Sequence, residues 1–292
     1  MEQKNIERIM APGTIHWVGN GFRVHNFIPG RFDMDMRRTD PFILLDYNPK
    51  YKFPAADKPG GVGVHPHRGF ETVTIAYKGK VEHHDSHGGG GVIEEGDVQW
   101  MTAASGVLHK EFHEKEWSKN GGDFHMVQLW INLPAKDKMS APKYQAIPNS
   151  KIIKVELPQN SGKVEVIAGE YDGEKGPAST FSPINLFNAH LNKEGMAPFS
   201  FPAKYNTTLL VIEGNITVNE KDTIPADHFV LFANKGENFS IKANEDSVVL
   251  IMSGEPLNEP IASHGPFVMN TKAELLQAFE DFNNGKFGEL ED

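Results

Sequence analysis

His65-Pro66-His67-Arg68-Gly69-Phe70-Glu71-Thr72-Val73-Thr74-Ile75-Ala76-Tyr77-Lys78-Gly79 is the stretch on which the reading of this chain turns. From Phe70 onward it is rich in β-branched and aromatic residues, and Gly79 closes it with a turn signal, so it reads as a β-strand. Ahead of it, two imidazoles stand two residues apart. On a strand, alternate residues face the same side at about 6.7 Å along the chain, close enough to converge on one ion. The i, i+4 spacing of a metal-binding helix is a different pattern.

Some 40 residues later, His109-Lys110-Glu111 repeats the arrangement after a second strand-like run, Val92 to Thr102, broken at Glu95-Gly96-Asp97. If the two strands are neighbours, His65, His67, His109 and Glu111 form a His₃Glu set around a single divalent ion. Strand alternation turns Lys110 away from it. Glu71 is a rival carboxylate, because its parity along the strand lets it face the same side.

The second half repeats the strand-and-glycine pattern. Leu209 to Val218, with its turn at Gly214, parallels Thr74 to His83, and Ile224 to Phe232 parallels Ile93 to Met101. With those turns superposed, His65 and His67 fall opposite Ser200 and Pro202, while His109 and Glu111 fall opposite Ser240 and Lys242. The expectation is an all-β chain of two barrels in tandem, residues 1–140 holding one metal and residues 141–292 holding none. Pro134, Pro142 and Pro148 mark the connection. A C-terminal helix is expected near 272–284: Thr271 and Glu274 have capping-box spacing, Leu275, Leu276, Phe279 and Phe282 form an apolar stripe, and Gly285 stands at the end. That helix is read as packing on a barrel.

Length and composition agree. A chain of 292 residues suits two domains, and the absence of cysteine excludes disulfides and thiolate metal sites. Cytoplasmic residence is the corresponding expectation, with neither a signal segment at the start nor an apolar run long enough to span a membrane. A net charge of −10 argues against general affinity for nucleic acid. His87-Gly88-Gly89-Gly90-Gly91 lacks the Lys-Ser/Thr ending of a phosphate loop and reads as a hairpin turn, with His83, His84 and His87 solvated around it. Arg37-Arg38 reads as a solvated pair. His125, before an alternating strand, reads as a satisfied core histidine.

The order of these motifs resembles the pirin family of the cupin superfamily. The resemblance is carried by His65 to Val73, Gly96 to Ala103 and Gly106 to His109. Asp40-Pro41-Phe42, Gln128 to Pro134 and Gly265 to Thr271 support it, so that it covers nearly the whole chain. It implies two cupin-type barrels, with one metal in the first held by His65, His67, His109 and Glu111; the preference for Glu111 over Glu71 comes from this resemblance. The resemblance further implies an iron(II)-dependent dioxygenase acting on flavonols such as quercetin. The ligand chemistry admits Mn, Ni, Cu or Zn equally. A small aromatic substrate and dioxygen would then be the partners, Glu111 the catalytic base, and Phe70, Trp100 and Met101 the candidate pocket wall. The family also implies an alternative, a non-catalytic, redox-sensitive metal protein that regulates transcription by binding a protein partner.

Overall fold

The computed structural model describes residues 2–29 and 35–291. Strands dominate, and they divide between two barrels, each made of a seven-stranded and a four-stranded sheet. In the first barrel the four-stranded sheet runs Gly61–His67, Val107–His113, Val81–Asp85, Gly90–Ile93. At the centre of its larger sheet, Phe70–Lys78 lies between Val98–Thr102 and Gly122–Asn132. All these pairings are antiparallel.

The second barrel repeats the plan. Its four-stranded sheet runs Met196–Ser200, Asn238–Ala243, Asn215–Val218, Asp222–Pro225. Its interior is an apolar cluster in which Phe187, Phe199, Phe201, Phe232 and Phe239 pack with Val, Leu and Ile side chains. Direct register pairs such as Phe199 with Phe239 and Ala197 with Ile241 share one face of the sheet. The inward residues here are therefore Ala197, Phe199, Phe239 and Ile241. The superposition through Ser200 and Ser240 is one residue out of phase, and in a strand one residue exchanges the faces.

The two compact units do not follow the chain halves at 140/141. One comprises Met1–Pro12, Arg38–Pro41 and Ser150–Pro256; the other comprises Gly13–Arg37, Phe42–Asn149 and Leu257–Asp292. Ile6–Met10 pairs with Phe229–Phe232 as an edge strand of the second barrel. The C-terminal helix, Lys272–Asn283, belongs instead to the first barrel's unit. Thr271 caps it in a complete capping box. The helix buries a narrower stripe than the sequence suggests. Leu275, Ala278 and Phe279 pack with Phe267 and Phe287, whereas Leu276 is exposed. Asp281, on the same helix, pairs with buried Arg68 at 2.9 Å. Arg38 is likewise no solvated cation: it donates to Glu7, Asn206 and the Phe232 carbonyl. Among the described residues no helix is long and apolar enough to cross a membrane.

Candidate metal centre

His65 and His109 are direct register partners across two antiparallel strands, and His67 stands two residues further along the first. Alternation puts all three imidazoles on one face. Their ring centroids lie 4.1, 4.6 and 4.9 Å apart, and one ligating nitrogen from each can be chosen so that all lie within 4.8 Å of one another. An ion bonded at about 2.1 Å places its nitrogens at most about 4.2 Å apart, so modest ring rotations complete the fit.

The free lone pairs are in place. His65 Nδ1 donates to the Gly63 carbonyl at 2.8 Å, which leaves Nε2 available. His109 Nδ1 lies 3.1 Å from His83 Nε2, and His109 Nε2 is buried without a protein partner. For His109 Nε2 to offer a lone pair, Nδ1 must carry the proton and donate it to His83. His67 Nδ1 is also buried and unpartnered. Burial lowers the pKa of all three histidines, and at His67 and His109 the neighbouring imidazoles push the same way. Neutral imidazoles are what a divalent ion requires. The triad fits a metal.

Glu111 follows His109 on the same face, past an irregularity that gives the opposing strand an extra residue between Val62 and His65. It stands outside the compact three-histidine group. Its carboxylate accepts from Gln128 Nε2 at 2.8 Å and from the Thr74 hydroxyl at 3.4 Å. Burial raises its pKa to about 7 against those two hydrogen bonds.

Glu71 lies elsewhere. Thr102 donates to it at 2.7 Å, and Glu71 and Thr102 are register partners. Thr74, three residues on, points to Glu111, so Glu71 occupies the other face of that strand. The parity count fails at Arg68-Gly69, where Gly69 adopts φ +91° and breaks the alternation. A Cβ on Gly69 would sit 1.9 Å from the Val268 carbonyl oxygen, so glycine is required there sterically as well. Lys110 turns outward and donates to the Glu291 carbonyl.

Of the three pocket residues, Phe70 stacks on Trp130 at 4.2 Å and lies 5.0 Å from His67. Met101 pairs in register with Thr72 and packs with Val107 and Tyr144. Trp100 pairs with Val73, which places it on the Glu71 face, away from Thr74 and Glu111.

Other residues emerge only in three dimensions. His83 is fully buried, stacked 5.5 Å from Tyr144 and bonded to His109, whereas His84 and His87 are exposed. The reading of all three as solvated is therefore wrong for His83. Gln99, Thr74 and Gln128 form one register row on the inner face, and Gln99 is buried with neither amide atom partnered. A strict alternation count from Thr74 is the one sequence signal that could have found them. His125 bonds Tyr47 at 2.9 Å and takes no part in the triad.

Fold and site together define a two-barrel cupin with one candidate metal centre among the described residues. The chain belongs to the pirin family: the pirin family model matches residues 21–131, and the pirin C-terminal cupin domain model matches residues 186–288. A Pseudomonas aeruginosa protein named "putative quercetin 2,3-dioxygenase" is 43% identical over 97% of this chain and 98% of its own length. The crystal structure of a quercetin 2,3-dioxygenase from Acinetobacter baumannii superposes with a TM-score of 0.93 at 47% identity, covering 99% of this chain and 100% of that one. The bacterial pirin YhhW of Escherichia coli, solved in complex with nickel(II), shares the fold at 20% identity and a TM-score of 0.64, over 85% of this chain and 100% of its own.

Proposed function

We propose that this pirin is an iron-dependent dioxygenase that opens the central ring of flavonol-like substrates such as quercetin, with His65, His67, His109 and Glu111 holding the metal. The observation that carries this reading is the His triad, with His67 and His109 buried and His65 half-buried, whose free nitrogen lone pairs face an interior that also holds Glu111. The names of the Pseudomonas and Acinetobacter relatives supply the reaction class. Bound there, the metal would supply the redox and Lewis-acid chemistry that couples a flavonol to dioxygen.

The protein's own contribution is positioning and proton control. Trp130, half-buried beside His67 and backed by the fully buried Phe70 ring stacked on it, offers an aromatic face for a flat substrate. Gln128 and Thr74 hold the Glu111 carboxylate in one orientation. Displaced from the metal, that buried carboxylate would stand ready to accept the hydroxyl proton of a flavonol.

Elemental analysis of purified protein, followed by oxygen uptake with quercetin for the Fe, Mn, Ni, Cu and Zn forms, tests the proposal. The iron form should consume dioxygen above the free-metal control, faster as pH rises and the flavonol ionises, and His67→Ala should abolish turnover with the fold intact. Flat traces for every metal and several flavonols would transfer the case to a metal-containing regulator that binds a protein partner.

A further inference from the structure

The second barrel contains a cavity of about 760 Å³, within the range of small-molecule sites. Five rings line it: half-buried Tyr171, and Phe187, Phe199, Phe201 and Phe239, which are buried in the barrel's apolar cluster. Phe199 lies 5.3 Å from Phe239 at an interplanar angle of 23°, and Tyr171 lies 5.4 Å from Phe199 and 5.8 Å from Phe187. Tyr171 is delivered by a two-residue hairpin. Glu170-Tyr171 pairs with Glu174-Lys175 across Asp172-Gly173, and both turn residues have positive φ, as such a tight turn demands. The Tyr171 hydroxyl donates to the Pro198 carbonyl at 3.1 Å, which fixes the ring as a wall of the cavity.

The charge of the lining is one-sided. Glu156, Glu170 and Asp172, all exposed, line the cavity; among the described residues no lysine, arginine or histidine does, and the remaining polar lining is neutral. Lys163, the register partner of Glu156, pairs with Glu165 at 2.9 Å, and Lys175 stands 3.8 Å from Glu170 in an exposed pair that water screens. Aromatic faces carry negative quadrupole potential, and carboxylates beside them add to it, so the combination attracts organic cations and repels anions. We propose that this cavity binds an organic cation, a quaternary or protonated amine carried on an apolar or aromatic body. An ionised flavonol is the wrong charge for it, so the cavity is not a second copy of the first barrel's site.

The test is isothermal titration of the full-length, metal-loaded chain with three probes of one shape: benzyltrimethylammonium, neutral benzyl alcohol and anionic phenylacetate. Only the cation should give saturable one-to-one binding. Tyr171→Leu should weaken it about tenfold, while Tyr171→Phe, which keeps the ring, should retain it. Combined Glu156→Gln, Glu170→Gln and Asp172→Asn should weaken it severalfold and flatten its salt dependence. His65→Ala should leave it unchanged, which keeps this result separate from the fate of the dioxygenase reading. Absence of saturable cation binding, equal binding of the three probes, insensitivity to Tyr171→Leu, or loss of binding in His65→Ala would each overturn the proposal.

Discussion

The two barrels share a strand plan and differ in what the plan points inward. In the first, the paired strands Gly61–His67 and Val107–His113 present His65, His67, His109 and Glu111; in the second, Met196–Ser200 and Asn238–Ala243 present Ala197, Phe199, Phe239 and Ile241. The second barrel is held together by the burial of an apolar interior. The first barrel keeps imidazoles, carboxylates and amides where burial makes each of them costly. On the proposed reading that polar interior serves chemistry, whereas the apolar one serves stability.

The sharpest way to break this contrast is to delete one inward ring in each barrel. His109→Ala should reduce metal affinity by more than the ~10–100-fold typical of losing an outer-shell partner, and His83→Ala should fall within that range. Phe239→Ala should leave the metal-to-chain ratio untouched while costing about 3–5 kcal/mol of stability. Chelator competition and elemental analysis read the first effect, and urea unfolding reads the second. Metal loss in Phe239→Ala would end the division of labour.

A second experiment asks whether the C-terminal helix is structurally part of the first barrel. Arg68 is buried, donates to the Ser105 carbonyl and to Asp281, and lies over the Phe287 ring. Lys286 and Arg68 together hold the Asp281 carboxyl far below the usual range. Asp281→Ala strands the guanidinium and should cost about 3–5 kcal/mol. All four tryptophans, Trp17, Trp100, Trp117 and Trp130, lie in that unit, so intrinsic fluorescence follows it selectively.

Two buried carboxylates in different sheets, Glu111 facing the interior and Glu71 on the face of its strand turned away from it, make a finer comparison. Glu111→Gln should lower metal affinity or turnover by about 10–100-fold, whereas Glu71→Gln should retain metal, because its partner is Thr102. The reverse outcome would reassign the carboxylate ligand.

The smallest effect is in pH. Burial depresses His113 and His125 to about 4 and His83 to about 3 from the ordinary 6.5. These three imidazoles outweigh Glu71 and Glu111, which burial raises to about 7, so the folded first barrel binds fewer protons than the unfolded chain in that interval. The imidazoles' contribution is complete above pH 6.5 and is lost as pH falls through 6.5 toward 4. In the second barrel Glu165 is partly buried, which favours its neutral form, but His190 and Lys163 prevail and hold it at about 2, so its contribution persists down to about 4.5. Between pH 6.5 and 4.5 the first barrel should weaken before the second. Hydrogen exchange resolved by barrel, with tryptophan fluorescence in parallel, measures the order; simultaneous weakening would remove the distinction.

Local pattern carried much of this. The i, i+2 histidines, the β-branched run after Gly69, the second strand pair and the Thr271 capping box are short-range signals, and each corresponds to an observed element. Alternation by itself placed His65 and His67 on one face, because nothing interrupts the strand between them; the pairing of the two strands brought His109 to join them. What only the tertiary structure decided lies beyond a turn or across the chain. The left-handed Gly69 put Glu71 on the opposite face from the site, and the pairing of His83 with His109 buried a residue that stands beside an exposed glycine turn. Ile6–Met10 went to the second barrel and the C-terminal helix to the first, through contacts separated by two hundred residues or more. A period of two is written in neighbouring residues; strand partnership is chosen by the surfaces that meet, and those exist only once the chain has folded.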